Sequence, residues 1–143
     1  MSGWHNDMRT EQKQKLAQLR HWRVRRKVRG TRERPRMSVC FTNENIYVQF
    51  VDDNAGATLA AVSTVGKSAP DRNQLAANVA SAKVVGKLAA EAALAKGIKI
   101  VVFDRGGARY HWSRSKGKDG KPVTVLGKLA ALAGAAREAG LKF

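Results

Sequence analysis

The chain has 143 residues, enough for one domain and too few for two independent cores. Its 27 Lys+Arg against 11 Asp+Glu leave a net charge of +16, which favours a polyanionic partner and leaves few carboxylates for acid–base chemistry. A hydrophobic fraction of 43% argues against full disorder, and the single Cys40 excludes both an internal disulfide and a zinc site built on several thiolates.

His5, His21 and His111 lie too far apart in sequence to suggest a metal site. No apolar run approaches the roughly 20 residues of a membrane span, and the N-terminus has no apolar leader. A soluble intracellular protein in a reducing compartment is expected.

The charge is uneven. Residues 1–36 carry twelve Lys+Arg against three Asp+Glu, residues 37–104 carry six of each, and residues 105–143 carry nine against two. A neutral body with cationic flanks is therefore expected.

Asn6 to Val28 contains neither Pro nor Gly and is followed by Gly30, so a helix is predicted over 6–28. Leu16, Leu19 and Trp22 form a thin stripe among many cations, too little to bury against a core. Clustered Arg of this kind pairs well with phosphate oxygens. Gly30 to Pro35 reads as a linker, after which the pattern alternates.

Strands are predicted at Met37–Thr42, Ile46–Asp52 and Thr58–Thr64, joined by short turns as an antiparallel meander. In the second, Ile46, Val48 and Phe50 share one face, and Tyr47, Gln49 and Val51 the other. Pro70-Asp71 with Gln74 marks a helix start, and the helix is expected to run to about Lys96 with Leu75, Val79, Ala82, Val85, Ala89 and Ala92 inward and Lys83, Lys87 and Glu91 outward. Ile98–Phe103 reads as an interior strand covered on both faces. Ser113–Lys121 suggests a mobile cationic loop. A last helix from Gly127 to Ala139 turns Leu129, Leu132, Ala133 and Ala136 inward and stops at Gly140. The fold class is thus α/β: a mixed sheet of a three-strand antiparallel meander plus a further strand, packed with a long central helix and a C-terminal helix. A basic helical extension precedes it. Residues 1–35 would be this basic, phosphate-binding extension and 36–143 one globular domain, with a basic insertion at about 112–126.

Asp52, Asp53 and Asp104 at strand ends are the only candidates for a two-metal phosphodiesterase, and a metal-dependent nuclease is the alternative they support. Cys40 lies within the first strand, where a buried inert thiol is expected. Gly106-Gly107 lacks the Lys-Ser/Thr of a nucleotide-binding loop, but two glycines at a strand end permit close approach to another surface. Arg105, Arg109, Tyr110 and His111 around them offer cations and rings to a nucleic acid. Tyr47 and Trp112 are rings that either stack on bases or pack. A further alternative is a basic nucleic-acid-binding protein without preference.

Several segments together resemble one family. Arg26-Lys27-Val28-Arg29-Gly30-Thr31, Glu33-Arg34-Pro35-Arg36-Met37-Ser38-Val39, Asn43 through Asp53, Val101 through Gly107 with Tyr110-His111, and the closing Ala135 to Phe143 are similar to the bacterial form of ribosomal protein family eighteen of the large subunit, the 5S rRNA-binding protein. The resemblance implies a non-enzymatic constituent of the cytoplasmic ribosome, with an organellar one left open. It would dock 5S rRNA and help attach it to the large rRNA in the central protuberance, beside ribosomal protein five of the large subunit. No cofactor, metal, membrane or homo-oligomer is implied. By position, Arg26, Lys27, Arg29, Arg34 and Arg36 would meet phosphates. Asn43, Tyr47, Arg105, Gly106, Gly107, Tyr110 and His111 would lie on RNA-facing loops and the sheet edge. Charge adds Arg23, Arg25, Arg109, Arg114, Lys116, Lys118 and Lys128 to the expected RNA-binding set.

Three departures stand out, the first being that the opening twenty or so residues, with Trp4 and His5, have no clear family counterpart. The family usually reads Phe-Arg-Ser-Asn-Lys-His where this chain has Cys40-Phe41-Thr42-Asn43-Glu44-Asn45, so cations are missing from that turn. The family also passes from Tyr-His almost directly into the last helix, whereas here Trp112 to Leu126 intervene with Arg114, Lys116, Lys118 and Lys121. That insertion is expected to be a hairpin or loop that restores phosphate contacts.

Overall fold

A computed structural model describes residues 9–65, 76–107 and 110–143. Strands β1 (Arg36–Phe41), β2 (Ile46–Asp52) and β3 (Ala57–Ser63) form the expected antiparallel meander. A further strand, β4 (Val102–Asp104), joins β1 in parallel, giving the order β3-β2-β1-β4. Period-two alternation sets one face inward: Met37 lies opposite Phe50 and Val39 opposite Val48, and all four are buried together with Ile46.

Two helices cover that face, α2 (Val79–Ala95) and α3 (Lys128–Glu138). Ala82, Val85, Ala89, Ala90 and Ala93 of α2 and Leu129, Leu132 and Ala136 of α3 complete the core with Ile98, Val101 and Leu141. Small side chains let the helices approach closely. At Gly86 an added Cβ would overlap the carbonyl oxygen of Leu132, so this position holds the two backbones together. Each large side chain fully buried here contributes about 1.5–3 kcal/mol relative to exposure.

The ends of the elements differ from the sequence reading in instructive ways. The expected helix start at Pro70-Asp71, with Gln74 and Leu75, lies outside the described residues. Residues 76–78 are not helical, and α2 opens at Val79 behind Asn78, whose side chain accepts from Ser81 N at 2.8 Å. Val79, expected inward, is exposed, while Gly86, Ala90 and Ala93 are buried. The apolar run Ile98–Phe103 is not an interior strand. Only Val102 and Phe103 of the run belong to a sheet strand, that strand lies at the sheet edge, and Ile100 is exposed and makes only an isolated parallel bridge with Lys142. Instead Val101 N donates to the Lys142 carbonyl (3.0 Å) and Lys142 N to the Lys99 carbonyl (3.0 Å), so the C-terminal segment covers that edge. Phe143 stacks on Phe103 with ring centroids 5.0 Å apart, and the Arg137 guanidinium lies over Phe143 at 4.5 Å. Cys40, expected buried, faces outward on β1 and is exposed, because burial alternates along the strand.

Two elements stand off the body. Helix α1 (Thr10–Arg25) buries no residue, consistent with its thin apolar stripe. The insertion is a hairpin of β5 (Trp112–Lys116) and β6 (Pro122–Leu126), with every strand residue exposed. Among the described residues, no helix is long and apolar enough to cross a membrane.

Candidate nucleic-acid interface

The link between α1 and the sheet is ionic. Asp53, just past β2, accepts from Arg25 Nη2 at 3.2 Å, from Arg36 Nε at 3.0 Å and from Gly30 N at 2.7 Å. Arg36 also donates through Nη1 to Asp104 at 2.9 Å, and the other Asp104 oxygen accepts from Gly106 N at 3.0 Å. Burial alone would raise the Asp53 pKa, but the bonds from Arg36, Arg25 and Gly30 outweigh it and hold the carboxyl well below the usual carboxylate range. Arg36 is shifted upward for the mirror reason: burial opposes its charge, and Asp53 and Asp104 more than restore it. Asp53 N donates in return to the Gly30 carbonyl at 3.1 Å, and a Cβ at Gly30 would collide with Arg36 N and the Val51 carbonyl. Gly30 is therefore the pivot on which the basic segment meets the sheet.

This network revises two expectations. Arg36, expected on phosphate, has its guanidinium engaged by two carboxylates, and its side chain is mostly buried. Arg25 is likewise turned inward to Asp53 and the Val28 carbonyl. The carboxylates of the nuclease alternative are also committed: Asp53 and Asp104 to arginines, Asp52 to the amides of Asn54 and Ala55 in the β2–β3 turn. Among the described residues no group of three or more His, Cys, Asp or Glu is placed to hold a metal ion.

The other cations expected to meet RNA on the basic segment, Arg23, Arg26, Lys27, Arg29 and Arg34, are exposed. One end of the sheet gathers several of the other expected residues. Because β4 runs parallel to β1, the chain leaving Asp104 passes beside the outer half of β1, where a Cβ at Gly106 would sit 2.8 Å from the Val39 carbonyl. Gly106 and Gly107 have φ of 58° and 83°, the left-handed region that glycine adopts without strain. Cys40, next along β1, is paired with Tyr47 of β2, so the exposed Tyr47 ring and the Arg105–Gly107 turn flank the same strand. Asn43 is exposed in the β1–β2 turn beyond. Tyr110 and His111 are exposed after the turn, and Arg109 lies outside the described residues.

A cleft of about 600 Å³ separates α1 from this turn. Ala17, Arg20, His21 and Val24 line it from α1, and Phe103, Arg105 and Gly106 from the other side. Arg20 and His21 were absent from the expected set. Their signal was available, since positions 17, 20, 21 and 24 follow the i, i+3, i+4, i+7 spacing of a single helical face. Arg114, Lys116 and Lys118 sit on the β5–β6 hairpin and Lys128 opens α3, all exposed. The surface is thus cationic on three elements, with rings and glycines at the sheet end.

Comparison with known proteins places these features in context. Residues 11–116 match the family described as Ribosomal L18 of archaea, bacteria, mitochondria and chloroplast. The chain is 50% identical over 131 residues to large ribosomal subunit protein uL18 of Lactobacillus delbrueckii subsp. bulgaricus, covering 92% of this chain and 95% of that one. It is 49% identical over 131 residues to the protein of the same name from Lactococcus lactis subsp. cremoris, with the same coverage, and 46% identical over 136 residues to that of Solibacter usitatus, covering 95% and 99%.

Proposed function

The chain belongs to the ribosomal L18 family, a structural family of the large ribosomal subunit, and from that premise we propose that it binds 5S rRNA and helps fasten it to the large rRNA in the central protuberance, beside ribosomal protein five. Residues 1–35 act as an RNA-binding extension and residues 36–143 as the globular domain that carries it. The observation that best supports this reading is the division of labour among the arginines. Arg25 and Arg36 make the ion pairs found among the described residues, whereas Arg23, Arg26, Lys27, Arg29 and Arg34 face solvent on the same segment. The inner pair fixes the segment's direction and the outer set meets phosphates. Asn43, Tyr47, Arg105, Gly106, Gly107, Tyr110 and His111 would approach the RNA at the sheet end, where the glycine turn allows backbone and nucleic acid to come close. Arg109, Arg114, Lys116, Lys118 and Lys128 extend the cationic surface.

The test is a titration of the protein into 5S rRNA, a tRNA and a plain RNA duplex across a salt series. Neutralising six to ten phosphates should lower affinity roughly 10³- to 10⁵-fold between 50 and 200 mM salt. A preference for 5S rRNA that survives high salt supports the proposal, and equal affinity for all three RNAs overturns it in favour of a generic cationic surface. Replacing Arg26 or Arg29 by Ala should reduce the salt slope by about one per residue.

A further inference from the structure

The β5–β6 hairpin carries its side chains in two chemically different sets. Residues two apart on a strand share a face, so Trp112, Arg114 and Lys116 lie on one side with their cross-strand partners Leu126, Thr124 and Pro122. Ser113 and Ser115 lie on the other with Val125 and Val123. Only the first side bears strand cations. Lys118 and Lys121 lie at the tip beyond the paired residues, with Asp119 as the hairpin's one acid.

The hairpin is closed at both ends: Gly127 N donates to the His111 carbonyl at 2.8 Å at its base, and Gly117 N to the Lys121 carbonyl at 2.9 Å at its tip. A two-stranded ribbon without a covering layer is marginal in water, so a partner is needed to make its apolar side chains favourable. Trp112 is the largest of these and remains 54% exposed, with the Arg114 guanidinium 5.8 Å from its ring centroid. Cations concentrated around an open indole match a polyanion that also presents flat rings.

We infer that this face is an rRNA-binding site in which Trp112, flanked by Arg114, stacks on an unpaired nucleobase while Arg114 and Lys116 meet the adjoining phosphates. The inference rests on the ribosomal reading above and adds to it a second point of attachment, on an element separate from α1. An unpaired base is specified because A-form grooves do not present base faces to side chains, whereas loops and bulges do. An acidic protein would satisfy the lysines but leave the ring without a comparable flat partner.

The test uses the full chain with Trp4→Phe and Trp22→Phe, in which Trp112 is the remaining tryptophan. Its emission is followed during titration with 5S rRNA, with the large rRNA, and with heparin, a polyanion that has no bases. Quenching by either RNA but not by heparin is expected. In parallel, Trp112→Ala should weaken binding to the quenching RNA roughly 5- to 150-fold, the range for loss of one stacked base, with an unchanged salt slope. Trp112→Phe should restore most of that loss, which a purely structural role in the hairpin would not require to depend on RNA. Emission unchanged by either RNA while binding persists overturns the inference alone, as does emission that responds only when large-subunit proteins are added. If the parent chain shows no preference for 5S rRNA over tRNA, the failure lies with the proposed 5S rRNA binding itself.

Discussion

Helices α1 and α2 are almost equal in length, 16 and 17 residues, and neither contains proline, yet they are held by different forces. Helix α2 has small and apolar side chains at helical spacing and is fastened along its length by burial against the sheet and α3. Helix α1 has strong helix formers but only a thin apolar stripe, and its fastening is confined to the Arg25–Asp53 pair at its C-terminal end. Helices of this length are marginal alone. One is therefore part of the folded body, and the other is a cationic arm whose direction, more than its helicity, is fixed by the protein.

Core and arm should consequently respond differently to substitution. Phe50→Ala, which empties the space beneath α2, should cost about 3–5 kcal/mol in urea unfolding. Asp53→Ala leaves two arginines without their shared acceptor and should cost about 2–4 kcal/mol, with faster amide exchange along α1. Its acid dependence has a definite sign. Because the folded state holds the Asp53 carboxyl below its ordinary value, its stabilisation is complete above the unfolded-state range near about 4 and is lost as pH falls through and below it. Asp53→Asn should flatten that part of the pH–stability curve.

The next test reverses an ordinary preference. In an exposed helix Gly→Ala is stabilising by about 1 kcal/mol, but Gly86→Ala should destabilise by about 1–3 kcal/mol, since the methyl group meets the Leu132 carbonyl of α3. A stabilised Gly86→Ala protein would mean that the two helices are less tightly apposed than described. Smallest of all, Leu19→Ala on α1 should change stability by no more than about 0.5 kcal/mol. A larger loss there would erase the distinction between arm and core.

Much of this contrast was legible in the residues. The alternation in β2 grouped Ile46, Val48 and Phe50 on one face, which the fold turns inward, and the thin stripe of α1 already implied an unburied helix. The inserted segment's Ser, Lys and Gly content located an exposed feature, though pairing of Trp112 with Leu126 is a property of the hairpin that composition does not disclose. The misreadings share a cause. Ile98–Phe103 looks like an interior strand because apolar content does not report which neighbour lies alongside, and here the neighbour at the edge is the chain segment around Lys142. Arg36 looks like one more phosphate ligand because charge in a sequence carries no direction, and its two carboxylates come from positions 53 and 104. Local patterns thus gave the elements and their faces, whereas long-range pairings decided which cations are free.

The tight seat of Gly30 bears on how a mutational map of this protein would read. A side chain at that position would lever the basic segment away from β1 and β2, moving every outward arginine on it at once. In a residue-by-residue screen scored only by complex formation, Gly30 and Asp53 would rank with the strongest contributors although both face inward. Sorting hinge defects from lost contacts therefore needs the screen repeated at two ionic strengths: a displaced arm changes many charge contacts together, while a single removed cation changes one.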